Sequence, residues 1–309
     1  MMFDLVVIGL GPAGIAACLY AARQNLNFIA ISKDIGGMTN FIPDIETYLG
    51  YHYLSGFDLV NKFKEHLKNL KVKTKIDEEV RDIKKMKDMK MKDGFVVVTN
   101  KGKYETKAIL LAAGRSFKHL NVPGEKEFIN KGVSHCAACD GPLFKGKTVA
   151  IIGGGKSGLL SALYLMKMMK KIYLIEVQSG LRGFPLWIDV VKKARNVTTM
   201  TNTKTLEILG DQSVNGIKVE KDGKQKVISV DAVFVEIGYD SNIDFLKNLG
   251  IRLNNRGEIV IDKENRTNIP GIFAAGDCTD IMEKQVIVAT GEGAKAALAT
   301  LEYLEEHNK

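Results

Sequence analysis

Apolar residues fall along this chain in two recurring patterns: short unbroken runs that end at glycine, and longer stretches at helical spacing. Asp4 to Ile8 predicts a strand buried on both faces, and Ile15 to Arg23 a helix directly after it. Phe28 to Ile31 predicts the next strand, and Gly56 to Leu70, with Phe57, Val60, Phe63 and Leu67, an amphipathic core-facing helix. From Lys71 to Lys107 the period shortens to two, as in a small antiparallel insert, before another buried run, Ala108 to Ala112. Asn121-Val122-Pro123-Gly124 reads as a connector. The order then repeats: a strand at Thr148 to Ile152, a helix at Leu159 to Met169 and a strand at Ile172 to Ile175. Alternating strands up to Val233–Ile237, a last apolar strand at Gly271 to Ala275 and a helix of small residues at Ala294 to Leu304 close the chain.

Two of the strand-to-helix turns carry the same glycine spacing. Gly9-Leu10-Gly11-Pro12-Ala13-Gly14 and Gly153-Gly154-Gly155-Lys156-Ser157-Gly158 each follow a buried strand and open a helix. In such a turn the first glycine permits the bend and the second lets a pyrophosphate approach the backbone. The third lets helix and strand pack, and the helix N-terminus carries the charge. The chain is thus read as α/β, with two Rossmann-like three-layer dinucleotide-binding domains. The first fingerprint lacks the acid expected at the end of its second strand, where Ser32 and Lys33 stand. The second has Glu176 there, placed either to bond the 2′-hydroxyl of an unphosphorylated ribose or simply to face solvent. Gly36-Gly37-Met38 and the segment Asp44 to Gly50 hold too many glycines and aromatics for a plain linker. Asp277, after Gly276 at a strand end, suits either a cofactor contact or a helix cap.

With 309 residues, 45% of them hydrophobic, the chain is long enough for about two domains. The apolar run Leu5 to Ala22 holds Gly9, Gly11, Pro12 and Gly14 and has no basic segment before it, so neither a signal nor a membrane span is expected. With no export signal expected, four cysteines in a chain this long fit a reducing cytoplasm, and a cytoplasmic protein is the expectation. Of the four cysteines, Cys18 and Cys278 are isolated, whereas Cys136-Ala137-Ala138-Cys139 is a redox pair or half a metal site. The five histidines show no spaced cluster, so no metal is expected. The net charge of +8 is spread out; its densest run, Lys84 to Lys92, is interleaved with Asp88 and reads as a solvated hairpin rather than a nucleic-acid surface. The excess suits an acidic protein partner. Trp187 is left undecided between core and surface.

The motifs GLGPAG, ETYLG, AAG, CAACDGPLFKGK, GGGKSG, GIFAAGDC and KQVIVATGEGAKAAL, in that order, resemble the low-molecular-weight thioredoxin reductases. They are closer still to the C-terminal part of the flavoprotein subunit of alkyl hydroperoxide reductase. The resemblance implies an FAD-binding domain in two pieces, 1–117 and 242–309, with a pyridine-nucleotide domain, 118–241, inserted in it and carrying the disulfide. Gly9, Gly11, Pro12, Ala13, Gly14, Gly37, Gly114, Gly276, Asp277, Lys284, Gln285 and Val286 would then line the FAD site, and Gly153, Gly155, Gly158 and Glu176 the second nucleotide. It also implies that Cys139 faces the flavin, Cys136 attacks a partner disulfide and Asp140 moves the proton. A rotation about residues 115–120 and 240–243, and a homodimer, complete what it implies.

Where the thioredoxin reductases carry a His-Arg-Arg run for the 2′-phosphate of NADPH, this chain has Glu176-Val177-Gln178, and only Arg182 keeps a family position. NADH is therefore expected in preference to NADPH. The peroxidase reductase carries an additional N-terminal domain with its own Cys-x-x-Cys; this chain starts at the FAD strand, so a separate thioredoxin or glutaredoxin-like protein is the expected acceptor. Reduction by ferredoxin or a reduced deazaflavin, an FAD-bearing redox sensor, and another enzyme of the fold such as an NAD(P)H oxidase are the alternatives.

Overall fold

The computed structural model describes residues 2–42, 45–86 and 94–307. Asp44 and most of the Lys84–Lys92 run, from Lys87 onward, lie outside the described residues. The chain divides into two compact units, Met1–Ser116 with Asp240–Lys309, and Phe117–Tyr239. No helix among the described residues is long and apolar enough to cross a membrane.

In the first unit, strand β1 (Phe3–Leu10) leads through the glycine turn into helix α1 (Pro12–Arg23) and then strand β2 (Phe28–Ile35). Helix α2 (Gly56–Asn69) is capped by Ser55, whose hydroxyl accepts from the Asp58 N–H at 3.1 Å. Its buried stripe is Leu59, Val60 and Leu67 with Phe63 packed against it, while Phe57 is 60% exposed. The expected place of Phe57 on the core face is thus corrected: at this register the first turn turns Leu59 inward instead. Strands β3 (Thr74–Lys75), β4 (Val80–Lys85), β5 (Phe95–Thr99) and β6 (Lys103–Leu111) complete a sheet ordered β3-β2-β1-β6-β5-β4. The first part of β6 pairs antiparallel with β5 and the rest runs parallel to β1.

The chain leaves this unit through β7 (Arg115–Phe117). The second unit then contains β8 (Val133–Ser134), the short helix α3 (Ala137–Asp140), β9 (Thr148–Ile152), helix α4 (Lys156–Leu165) and β10 (Lys171–Ile175). Helix α5 (Pro185–Lys193), β11 (Val197–Met200), the antiparallel trio β12 (Thr203–Gly210), β13 (Val214–Lys221) and β14 (Lys224–Ile228), and β15 (Ala232–Val235) follow. Its parallel sheet is ordered β11-β10-β9-β15-β8. The return passes through β16 (Tyr239–Ser241), which pairs with β7, to β17 (Ile272–Ala274) beside β6 and the long helix α6 (Val286–His307).

Both units are three-layered for the same reason. Successive residues of a central strand point to opposite faces, so an unbroken apolar run needs cover on both sides. In β9, Val149 and Ile151 pack with Leu159, Leu165 and Val191 of α4 and α5, while Ala150 and Ile152 pack with Ile208, Val214 and Ile217 of the antiparallel trio. In β1, Leu5 and Val7 meet the helices α1 and α6, and Val6 and Ile8 meet Ile83, Phe95 and Val97. The protein is an α/β molecule with two Rossmann-like units, the second inserted in the first. Trp187 packs at the edge of the helix-side core, edge-on to Phe184 at 4.7 Å.

Candidate active site

The two glycine turns are built alike. Gly9 and Gly153 take positive φ values of +99° and +115°, and a Cβ at either would collide with the backbone of Ala112 or Glu236. A Cβ at Gly14 or Gly158 would strike the carbonyl of the turn's own first glycine, which is how closely helix and strand approach. Gly11 and Gly155 face open space, with nothing within 4 Å of an added Cβ. These two are also the N-caps of α1 and α4, and neither helix has a side-chain cap, in contrast to α2. The first N–H groups of both helices are thus left for a ligand, with the helix dipole favouring an anion. Pro12 occupies the first turn of α1, where its missing N–H costs nothing.

Around the first turn the fold assembles residues from distant parts of one unit. A Cβ added at Gly37 would come to 3.8 Å from the Gly11 Cα, and the Gly37 N–H is held by Asp34 at 2.8 Å. Ser32 accepts from the Leu10 N–H at 3.2 Å, so its hydroxyl ties two strand ends together. Gly276 packs against Ala13 and Ala289, and Gly293 of α6 lies against the Ala13 backbone. Gly114, with φ +61°, faces open space and accepts from the Asn242 N–H at 3.3 Å. Asp277 sits in the short turn Gly276–Cys278; burial pushes its carboxyl above the ordinary range, against the pull of Arg115 and Lys284. The Lys284 ammonium bonds the carbonyls of Thr279 (2.5 Å) and Asp277 (3.3 Å) and lies 3.4 Å from buried Glu258, so it fastens the turn that carries Asp277. Glu258 also pairs with Arg115 and with Arg256 at 3.0 Å, and nothing in the chain's pattern marks it. Gln285 is exposed at the entry to α6, and Val286 starts that helix against Ile45 and Leu54.

In the second unit Glu176 is 3% exposed and lies beneath its glycine turn. One carboxylate oxygen accepts from the Gly154 N–H at 2.7 Å and the other from the Gln178 N–H at 2.8 Å, with Arg182 at 3.6 Å. The carboxylate therefore shapes the turn directly.

Cys136 and Cys139 are joined in a disulfide at the start of α3. Cys136 is the N-cap: its sulfur accepts from the Cys139 N–H at 3.2 Å, and its own N–H is held by Ser134 at 3.0 Å. Asp140 ends the same helical turn, its N–H bonded to the Cys136 carbonyl at 3.1 Å. Glu236, which the sequence pattern hid inside an apolar run, accepts from Ser161 Oγ at 2.6 Å and from the Ala137 backbone. It links α4, the second glycine turn and the disulfide helix. Burial pushes its carboxyl up, against those two hydrogen bonds. The remaining thiols, Cys18 and Cys278, are buried, which pushes both upward and keeps them protonated.

The histidines behave differently from their spacing. His119, Glu125 and His135 come together although nothing in the sequence groups them. Burial, then His119, holds the His135 imidazole below its usual pKa, against Glu125 and the Val235 backbone.

The model of the family described as pyridine nucleotide-disulphide oxidoreductase matches residues 3–293. The chain belongs to that family. An alkyl hydroperoxide reductase subunit of Staphylococcus aureus is 38% identical over 304 residues, which are 98% of this chain and 59% of that protein. The chain thus spans about three-fifths of the length of the curated relatives it matches. Among solved structures, thioredoxin reductase of Lactococcus lactis is similar with a TM-score of 0.81 and 31% identity, covering 98% of this chain and 99% of that one. That of T. acidophilum gives 0.78 and 37%, covering 99% of each. Membership of the pyridine nucleotide-disulphide oxidoreductases makes the chain an oxidoreductase and implies FAD and a pyridine nucleotide. Two uncapped helix starts, each beside a glycine with open space, fit two such groups.

Proposed function

We propose that this oxidoreductase is a flavin disulfide reductase that takes electrons from NADH and passes them through Cys136–Cys139 to the disulfide of a separate thioredoxin or glutaredoxin-like protein. The observation that carries this reading is the Cys136–Cys139 disulfide, set at a helix start in the same unit as the second uncapped glycine turn. Residues 1–117 and 242–309 would hold FAD, with Gly9, Gly11 and Gly14 at its pyrophosphate and Asp277 on the fastened turn. Residues 118–241 would hold NADH, with Gly153, Gly155 and Gly158 at its pyrophosphate. When bound, FAD and NADH supply the hydride and electron chemistry.

The chain's own part is thiol–disulfide exchange. In the reduced pair the Cys136 thiolate attacks one sulfur of the partner disulfide, forming a mixed disulfide and releasing the partner's other sulfur as thiolate. Cys139 then attacks Cys136, remaking the internal disulfide and freeing the partner's second thiol. Two protons end on the partner; Asp140, one residue beyond Cys139, is placed to hold one in transit. In the oxidised pair the Cys139 N–H donates to the Cys136 sulfur, and the thiolate is the form that reacts once the pair is reduced. Glu176 favours NADH because a buried carboxylate beneath the turn repels a 2′-phosphate. A homodimer working in a reducing cytoplasm fits this chemistry.

Anaerobic titration of the flavin-loaded protein with NADH, NADPH, reduced ferredoxin and a reduced deazaflavin tests the donor. NADH is expected to bleach the flavin fastest; rapid bleaching by NADPH but not NADH overturns the donor assignment. Cys139→Ser is expected to keep the flavin reducible and to lose thioredoxin-dependent NADH oxidation by at least about 100-fold. Full turnover in that variant sinks the route through the cysteines.

A further inference from the structure

Apart from the disulfide and the glycine turns, the inserted unit gathers one more set of groups able to do chemistry. His119 follows β7, Glu125 lies in the turn after Pro123-Gly124, and His135 follows β8 immediately before Cys136. One ligand atom from each lies within 4.8 Å of the other two. The sequence separates these residues; the fold brings them to one point.

Each member is prepared differently. The Glu125 side chain is fully buried, and its two oxygens accept from the N–H groups of Leu120 (2.9 Å) and Asn121 (2.7 Å). Each oxygen of a carboxylate accepts more than one bond, so this anchoring fixes the group without exhausting it. His119 Nδ1 stands 3.5 Å from the first of those oxygens. The His135 ring is stacked on Phe117 at 5.2 Å and meets the His119 ring edge-on at 5.1 Å. Both His135 ring nitrogens are shielded from solvent; the Val235 backbone lies close enough to act on the ring, but neither nitrogen makes a hydrogen bond of ordinary geometry among the described residues. An imidazole left so is unfavourable, because buried polar atoms in folded proteins have partners. Closing the loop at Leu120 and Asn121 accounts for Glu125 alone. It leaves the convergence of two imidazoles on that carboxylate, and the unsatisfied His135, without a reason.

We propose that His119, Glu125 and His135 form a binding site for one divalent transition-metal ion of the zinc class. Two imidazoles and one carboxylate are the donors such borderline ions take, and three protein ligands leave a fourth position open. Magnesium and calcium call for more oxygen ligands than this group offers. Ligand atoms around tetrahedral zinc lie about 3.3 Å apart, so the set closes somewhat on binding. His119, whose side chain is 45% exposed, supplies that movement and the entry path. The buried Glu125 and the clamped His135 are the fixed part. The site is separate from the Cys-x-x-Cys half-site, whose sulfurs are tied up in their disulfide.

The test uses the tag-free, flavin-loaded protein with its disulfide oxidised, stripped of metal by a chelator that is then removed. Zinc chloride is titrated calorimetrically, and cobalt(II) is added in parallel to read coordination from visible bands beyond the flavin absorption. One zinc ion per chain and a tetrahedral or five-coordinate cobalt spectrum are expected. His119→Ala and His135→Phe should each weaken zinc binding by about tenfold or more, and His66→Ala, an exposed histidine of the other unit, should leave it unchanged. His119→Ala alone carries the test should the half-buried His135 substitution prevent folding, which the bound flavin and far-ultraviolet circular dichroism report. Absence of a stoichiometric site, or binding that survives in His119→Ala, overturns the proposal.

Discussion

At the scale of single residues, Glu236 ties the start of the disulfide helix to helix α4. Its carboxyl touches Ser161 on one helix and the Ala137 N–H that opens the disulfide helix, and burial pushes its pKa above the ordinary value of about 4.3. The folded state therefore keeps this proton to higher pH than the unfolded state does. Between the unfolded and folded pKa values the unfolded chain binds fewer protons, so stability falls as pH rises through that window. Glu236→Gln keeps the size of the side chain and has no proton to lose. Its urea midpoint should fall less steeply than that of the unaltered protein as pH rises from about 4.3, and parallel pH profiles would remove Glu236 as the cause. Glu258 has the opposite sign: although its burial raises the pKa, Asn254, Lys284 and Arg115 hold it lower.

At the scale of elements, the junction of α1 and α6 decides how the first glycine turn is held. Gly293 lies against the Ala13 backbone, so a methyl there has to push the two helices apart. Gly293→Ala is expected to cost about 1–3 kcal/mol and to lower the flavin retained on purification, because Ala13 also supports Gly276. Gly291→Ala, two residues earlier, meets nothing within 4 Å and should be neutral or stabilising by up to about 1 kcal/mol. Thermal midpoints and flavin-to-protein ratios of the pair check both; equal effects would show that helix propensity, not the packing, governs. The same glycines explain what the chain's pattern concealed. Helix α6 starts at Val286, well before the expected Ala294, because propensity counts Gly291 and Gly293 against a helix while the contact that demands Gly293 comes from the far end of the chain. The strand–turn–helix fingerprints were legible because the glycine spacing and the apolar runs that flank it lie within a few neighbouring residues, even though Gly9 and Gly153 are also required by the distant backbone of Ala112 and Glu236. Glu236 and the His119–Glu125–His135 group were not, since only strand pairing and loop closure bring their partners near.

At the scale of the whole molecule, each unit is supplied with its own core. The two apolar clusters of the inserted unit draw only on residues from Leu120 to Ile237, and those of the other unit only on residues up to Ala113 and from Ile243 onward. Where the chain passes between them, β7 and β16 pair side by side. Lys118 N–H to the Gly238 carbonyl (2.9 Å) and Asn242 N–H to the Gly114 carbonyl (3.3 Å) close the pair on either side. Entry and exit of the insert are therefore adjacent, the arrangement in which an inserted domain can be removed without opening its host. Joining Ser116 to Asp240 through a short glycine-containing turn should give a chain that folds, retains FAD and is reduced by dithionite, yet shows no thioredoxin-dependent turnover. Residues 117–239 produced alone should fold with the Cys136–Cys139 disulfide and bind NADH, since Glu176, Glu236 and the second glycine turn are all internal to them. Circular dichroism, flavin content and nucleotide titration of the two pieces read this out. If neither piece folds, the cores depend on each other and the adjacency of β7 and β16 has no independent meaning. If both fold but the joined chain releases FAD, the assignment of residues 1–117 and 242–309 as its binding unit fails.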